Sequence, residues 1–407
     1  MKCRHCHTEL ELEFLDLGNA PPSNAYLKFE DLRKPEVTYP LRILTCTNCW
    51  LVQTEDYAQA DALFSENYAY FSSTSQGWLK HAASYCEMIT KRLDLSADSF
   101  VVELASNDGY LLKNFVTSGV PCLGIEPTKS TAEAAKAIGV PVRQQFFGKS
   151  VGQKMADAGE RADLVLGNNV YAHVPDINDF TQGVAALLKP NGVVTFEFPH
   201  LMQLILHNQF DTVYHEHFSY LSLCAVGSVF AQAGLRIFDV EELPTHGGSL
   251  RVYGCLKEAD YAKTNAVEKL LQAETDAGLQ TEKTYTSFQA KADAVKDGLV
   301  RFLLDAKANG KSVAGYGAAA KGNTLMNYAG IRPDLMPFVC DAAKAKIGQY
   351  MPASHIPILP PDTLQTRRPD YLVILPWNIA AEVMKQNADL AALGTKFVVA
   401  VPELKVI

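Results

Sequence analysis

Short apolar runs closed by an acid set the first half of the chain. Val101-Val102-Glu103-Leu104 leads into the small polar segment Ala105-Ser106-Asn107-Asp108-Gly109, and a helical pattern follows. This predicts a buried strand, a tight βα turn whose N–H groups can face a nucleotide-like ligand, and a helix. The next run, Cys122-Leu123-Gly124-Ile125, ends on a second acid, Glu126, placed to accept hydrogen bonds from two ribose hydroxyls. A further strand, 162–167, ends in Asn168 and Asn169. Helical periodicity then runs to Lys189, Pro190-Asn191-Gly192 reads as a turn, and 193–197 as another strand.

Two folds compete for this block. A dinucleotide fold requires G-x-G-x-x-G at the first turn, and only Gly109 is present there. Acid, small-residue turn, second acid, then helix, Lys-Pro-Asn-Gly and apolar strand is the order of an S-adenosylmethionine (SAM) methyltransferase fold. On that reading Glu103, Ser106, Asn107, Asp108, Gly109, Glu126, Asn168 and Asn169 surround the cofactor. An α/β domain without a cofactor is the plain alternative, because fold alone does not fix function.

The length, 407 residues, allows two or three domains. With 37 basic against 45 acidic residues the net charge is -8, which speaks against nucleic acid as a partner. No apolar run approaches the roughly 18–20 residues of a membrane span. The start, Met1-Lys2-Cys3-Arg4-His5, lacks the apolar core of a signal peptide, so a cytoplasmic protein is expected, as a monomer or weak homo-oligomer. Of nine cysteines, Cys86, Cys122, Cys224, Cys255 and Cys340 are scattered among apolar residues and read as buried thiols.

The other four form Cys3-x-x-Cys6 and Cys46-x-x-Cys49, two pairs that can each clamp one edge of a tetrahedral zinc ion. A β-rich insert with Pro21-Pro22 can fill the gap, and His5 or His7 could replace one thiolate. A redox role would want a βαβ context that this region lacks. The segment 67–75 is aromatic and hydroxyl-rich, and a helix begins near Trp78. It is either a loop packed on the core or a source of tyrosine hydroxyls over the mouth of the central fold.

The densest group of ionisable side chains is Tyr214-His215-Glu216-His217-Phe218-Ser219-Tyr220. Its spacing is not the H-E-x-x-H that puts two histidines on one helix face, although loop histidines satisfying backbone groups are a bland alternative. His173 follows the Asn168-Asn169 strand end on the same rim of the sheet, where open α/β folds bind ligands. The Gly-rich turn 245–251, carrying His246 and the basic Arg251, is fit for an acceptor-side contact. Such a cluster suits carbon methylation beside a ketone: an imidazole takes the α proton while hydrogen-bond donors hold the enolate oxygen.

Residues 257–307 alternate charged and apolar positions in helical fashion, predicting one or two exposed helices that join the halves. A second α/β unit follows, with strand 312–316, a turn carrying Gly315 and Gly317, and a helix. Asp341 closes another strand and 371–375 is a third. An NAD site is disfavoured because Ala320 stands where the third glycine belongs.

The four cysteines, Glu103-x-x-Ser106-Asn107-Asp108-Gly109, Tyr214-His215-Glu216-His217-Phe218-Ser219-Tyr220 and His246-Gly247-Gly248-Ser249-Leu250-Arg251 occur in one order. With them the chain resembles the nucleotide-deoxysugar C-methyltransferases, which methylate carbon 3 of dTDP-4-keto hexoses. The resemblance covers nearly the whole chain. It implies a small amino-terminal zinc-binding module (1–66), a central SAM-methyltransferase α/β domain (67–256), a helical connector (257–307) and a carboxy-terminal Rossmann-like domain that holds the nucleotide sugar (308–407). It makes His217 the base, Glu216 and Tyr214 the groups that position sugar and enolate, and His173 a supporting residue. Tyr70, Tyr220, His246, Arg251, Lys321 and Asn323 are then expected at the acceptor, with Lys321 on phosphate. One departure stands in the first turn, where Ala105 replaces the glycine common in similar chains. A methyl group is tolerable there in an extended backbone but not at positive φ. Transfer to a sugar oxygen or small ketone, or a non-catalytic binding protein, are the rival readings.

Overall fold

The computed structural model describes residues 1–57 and 71–407, and Tyr70, expected at the acceptor, lies outside the described residues. Three sheets are present among the described residues. The amino-terminal sheet is an antiparallel meander of β1 (Leu12–Ala20), β2 (Tyr39–Thr45) and β3 (Val52–Thr54).

The central sheet is built from β4 (Val101–Leu104), β5 (Cys122–Ile125), β6 (Val142–Arg143), β7 (Ala162–Asn168) and β8 (Leu188–Pro199). The strand β9 (Ser219–Tyr220) leaves this domain and pairs with β3, making it the fourth strand of the amino-terminal sheet. β10 (Leu235–Leu243) and β11 (Ser249–Leu256) complete the central order β10-β11-β8-β7-β4-β5-β6. Strands β4 to β8 pair in parallel, whereas β10 and β11 run antiparallel. The chain leaves β4 on one side toward β5 and β6 and returns on the other through β7. The crevice between the carboxyl ends of β4 and β7 is therefore the switch point at which open sheets bind ligands.

The third sheet has the order β14-β13-β12-β15-β16-β17, from β12 (Val313–Tyr316), β13 (Val339–Cys340), β14 (Ile358–Leu359), β15 (Tyr371–Ile374), β16 (Lys396–Val399) and β17 (Lys405–Val406). Its switch point lies between β12 and β15. The inner strands are wholly buried, as expected of apolar runs covered on both faces.

The sequence expectations need three adjustments. The 190–192 turn lies inside β8, which starts at Leu188 and pairs with β7 through a register shift near Ala162. Arg251 sits in β11 rather than in a glycine turn, because the turn closes at Gly248 and pairing with β8 begins at Ser249. The connector forms three helices, Asn265–Asp276, Glu282–Thr286 and Phe288–Ala308, and they are not merely exposed. The last buries Phe288, Ala292, Val295, Leu299, Leu303 and Ala306 at helical spacing, and Phe288 stacks on Phe14 of β1 at 4.6 Å. Burying each large apolar side chain contributes about 1.5–3 kcal/mol, more than any propensity difference among these residues, so the tertiary face decides the helix.

Candidate active site

A cavity of about 950 Å³ lies where the central and carboxy-terminal switch points face each other. From the central sheet it is lined by Ala105 and Asn107 after β4, Glu126 after β5, and Asn168 and Asn169 at the end of β7. Gly124 makes this rim compact, since a Cβ there would lie 2.2 Å from the Ser106 hydroxyl. Glu126 accepts the Asn107 N–H and the Thr128 N–H, both at 2.9 Å, one on each carboxylate oxygen. Oε1 also accepts the Thr128 hydroxyl, whereas Oε2 keeps room for a second donor such as a ribose hydroxyl. Both side-chain polar atoms of Asn168 are buried without a partner, on a residue that faces the cavity. These are the marks of a rim built for a polar ligand, and the residues fit SAM.

Glu103, Ser106, Asp108 and Gly109 stand behind this rim rather than on the cavity wall. Burial, then the charges of Glu126 and Asp108, pushes the Glu103 carboxyl well above its ordinary value. Asp108 accepts the Ser73 N–H at 3.1 Å and Asn107 accepts the Ser72 N–H at 3.0 Å, tying the segment before the helix Gln76–Arg92 to the turn. Ala105 has φ of +54°, the left-handed region in which its methyl group is strained.

Opposite the rim, His173, Tyr214, Glu216 and His217 line the same cavity. The His173 and His217 rings are 4.6 Å apart, and the Tyr214 and His217 rings 4.0 Å. His217 Nδ1 lies 2.9 Å from the Thr212 carbonyl oxygen, which only accepts, so Nδ1 carries the proton and Nε2 the lone pair. The same holds for His173, whose Nδ1–H donates to the Glu216 carbonyl at 2.8 Å. Burial pushes His173 down to about 4, and burial, with the neighbouring His173, pushes His217 well below its ordinary value. Both imidazoles are neutral near pH 7, the state a proton acceptor needs. His215 is turned away, with Nε2 donating to the Pro40 carbonyl at 3.1 Å and its ring against Tyr39.

His246 also lines the cavity, its Nε2 accepting from the Asn169 amide at 2.9 Å. The carboxy-terminal domain contributes Lys321, Lys346 and Asn378. Lys321 donates to Asn378 Oδ1 at 3.0 Å, Lys346 to the Ala318 carbonyl at 2.8 Å, and burial lowers both ammonium groups. Each keeps further N–H donors for an anion. Asp341 gives one oxygen to the Ala318 N–H and the other to the Ala343 N–H, both at 2.7 Å.

Three expected acceptor contacts are elsewhere. Arg251 is buried between Glu197 (2.7 Å) and Glu241 (3.1 Å), away from the cavity wall. Tyr220 packs edge-on behind His217 at 5.9 Å. Asn323 is wholly buried and donates to the Ser23 carbonyl at 2.7 Å, joining the amino-terminal segment to the helix Ala320–Tyr328 that follows β12. Sequence reasoning missed Asn24, which lines the cavity and donates to Glu216 Oε1 at 2.7 Å. It also missed Lys346, Trp78 on the cavity wall, and Asp211, which accepts the Trp377 indole N–H at 2.8 Å. Only Trp78, just after the aromatic stretch 67–75, carried any sequence signal.

The four amino-terminal cysteines bring their sulfur atoms within 4.8 Å of one another, with Cys3 and Cys49 at 3.6 Å and Cys6 and Cys46 at 3.4 Å. Tetrahedral zinc with bonds of about 2.3 Å places its sulfurs about 3.8 Å apart, so the group fits the ion. The hydrogen bond from Cys49 holds Cys3 down at about 4 and pushes Cys49 up, so neighbouring thiols resist a second charge that a dication would favour. His5 is occupied by Asn178 and Ser228, both at 2.9 Å, which leaves the four thiolates as the ligand set. Among the described residues no comparable group includes His215, Glu216 or His217.

Known proteins are similar to this chain along its length. Residues 3–64 match the family model "Putative zinc binding domain", 78–240 "Methyltransferase domain" and 244–402 "C-methyltransferase C-terminal domain". C-methyltransferase NovU of Streptomyces niveus is 34% identical over 406 residues, spanning 100% of this chain and 96% of that protein. The chain belongs to the SAM-dependent C-methyltransferase family. A ubiquinone biosynthesis O-methyltransferase of Rhodopseudomonas palustris (strain BisA53) is 29% identical over 104 residues, 26% of this chain and 41% of that protein. The crystal structure of magnesium protoporphyrin IX methyltransferase from Synechocystis PCC 6803 with bound SAH covers 44% of this chain and 83% of its own, at 14% identity and a TM-score of 0.35. In this C-methyltransferase no helix among the described residues is long and apolar enough to cross a membrane.

Proposed function

We propose that this SAM-dependent C-methyltransferase methylates carbon 3 of a nucleotide-activated 4-keto-deoxysugar through an enolate. The observation that carries the reading is one cavity with three kinds of wall: the cofactor rim, the neutral His173–His217 pair, and the two lysines of the carboxy-terminal domain. A methyl acceptor that is both a carbon acid and an anion needs the last two together.

When bound, SAM supplies a methyl group already activated by its sulfonium. The chain's residues must then make the acceptor carbon a nucleophile. His217 Nε2 takes the proton from the carbon beside the ketone, and its Nδ1–H stays on the Thr212 carbonyl, which steadies the imidazolium that forms. Tyr214, its ring 4.0 Å from that of His217, donates to the oxygen that gains charge, and His173 packs edge-on against the base at 4.6 Å. Glu216 orients the sugar hydroxyls. Lys321 and Lys346 meet the diphosphate, and Asn107, Glu126 and Asn168 hold the cofactor. The electron pair of the broken C–H bond forms the new C–C bond, and S-adenosylhomocysteine leaves.

The test is solvent-deuterium uptake beside the keto group. Enzyme with S-adenosylhomocysteine and a dTDP-4-keto-6-deoxyhexose is followed by mass spectrometry, for the wild type and for His217→Ala. Exchange by the wild type that falls about 10²–10⁴-fold in the variant supports the base. Equal exchange in both moves the base elsewhere, and turnover without any exchange would favour transfer to oxygen.

A further inference from the structure

The amino-terminal module reaches well past its metal ligands, into the back of the Glu216–His217 segment. β3 begins three residues after Cys49, and its Val52 and Gln53 pair with Tyr220 and Ser219 of β9. At the end of β3 the Thr54 hydroxyl donates to the main-chain oxygen of His217, and the Thr54 N–H donates to that of Phe218 at 3.1 Å. Gln53 turns the other way and donates to Cys3 Sγ at 3.3 Å. From a second side, the half-buried Asn24 donates to the Glu216 carboxylate at 2.7 Å. The loop carrying Asn24 is pinned nearby, because Tyr26 donates to the Ala318 carbonyl at 2.6 Å.

We infer that the amino-terminal module is a positioning element for the reaction, with Thr54 fixing the backbone of His217 and Asn24 fixing the carboxylate of Glu216. Sheet pairing alone ends at Ser219 and leaves the two preceding residues to be placed by other means. Thr54 supplies both of its donors to them. A carboxylate oxygen that accepts from Asn24 has one orientation relative to the sugar, whereas a rotating carboxylate has several. The inference rests on the proposed base and sugar-orienting roles, and it adds residues from a different sheet to them.

The experiment uses the zinc-loaded full chain. Thr54→Val keeps the shape and removes the hydroxyl, Thr54→Ser keeps the hydroxyl, and Asn24→Ala removes the amide. Methyl transfer to the dTDP-4-keto-6-deoxyhexose gives kcat and KM. Nitrogen NMR of histidine-labelled enzyme with S-adenosylhomocysteine reads the His217 tautomer without any acceptor. Thr54→Val should lower kcat about 10- to 100-fold and perturb the Nδ1–H signature of His217, with zinc content and cofactor affinity intact. Thr54→Ser should restore both, and Asn24→Ala should raise KM about tenfold as the carboxylate loosens. Wild-type kcat, KM and tautomer in Thr54→Val and Asn24→Ala would overturn the inference, as would losses that only follow zinc or the folded fraction. Should Thr54→Val not fold, Asn24→Ala still decides the case. A wild type that transfers methyl without proton exchange defeats the base reading instead, and the tautomer measurement then reads positioning by itself.

Discussion

His173 and His217 stand with their rings 4.6 Å apart, and each donates its Nδ1–H to a main-chain carbonyl. Both keep their lone pair on Nε2, and burial keeps both uncharged. A base whose pKa is lowered remains deprotonated further into acid. The acid limb of kcat/KM should therefore lie below pH 6.5. A limb at or above 6.5 in a pH–rate profile would show that the working base is not this buried imidazole. Stability follows the same sign. His173 and His246 titrate at about 4 when folded and near 6.5 unfolded, so the unfolded chain binds more protons between those values. Stability is held above pH 6.5 and is lost as pH falls toward 4, and His246→Asn should flatten that fall in thermal scans.

Arg251 and Glu197 form a buried pair with side chains 5% and 0% exposed. Burial alone would raise the Glu197 carboxyl, but His81 and Arg251 hold it below its ordinary value. Arg251→Met leaves that carboxylate partly uncompensated and should cost about 3–5 kcal/mol in chemical denaturation. KM of the folded remainder should be unchanged. A raised KM with full stability would put Arg251 back at the acceptor.

Ala105 occupies φ of +54°, at a cost of about 1–2 kcal/mol for an L-residue. Glycine removes that strain and returns about 0.5–1 kcal/mol of unfolded-state entropy. Ala105→Gly should therefore raise Tm by about 1–3 °C. A fall in Tm would mean that packing of the Ala105 methyl group outweighs the backbone strain.

Zinc loss should be felt beyond its ligands. Among the described residues β9 pairs with β3 and with no other strand, and β3 begins three residues after the Cys46–Cys49 knuckle. Cys49→Ser should lose the metal and speed amide exchange at Tyr220, while β7 amides at the centre of the other sheet keep their protection. Unchanged exchange at Tyr220 in a zinc-free variant would show that β9 holds without the module.

The sequence was most legible where one segment contains its own reason. The acid-terminated apolar runs show buried parallel strands because both faces are apolar, and the paired C-x-x-C motifs show zinc because ligand spacing is local. The connector was harder, since periodicity identifies a buried stripe in Phe288–Ala308 but not its partner, β1, nearly 270 residues earlier. Arg251 was misplaced because the Gly247-Gly248 turn gives no sign of where β11 begins, and its partner Glu197 comes from another strand. Asn24 and Lys346 lie in stretches with no chemical pattern, and only the fold carries them to the cavity.

Lys321 and Lys346 give the most direct check on the acceptor's charge. They come from either side of the β12 switch point, one before and one after β13, and both line the cavity while spending one donor on the protein. Burial lowers each ammonium group even with a carboxylate acting on it, Asp211 on Lys321 and Asp341 on Lys346, so each gains from a diphosphate. A hydrogen bond to a charged group contributes about 1.5–3 kcal/mol, which corresponds to roughly 10- to 100-fold in binding. Lys346→Met should therefore raise KM for a nucleotide-linked keto-sugar by about that factor, leaving SAM affinity in place. The same variant should bind thymidine diphosphate more weakly by calorimetry, without any catalytic readout. An acceptor lacking the diphosphate should be indifferent to the change. Equal loss with charged and uncharged acceptors would show that Lys346 supports the cavity wall through Ala318 and does not read phosphate.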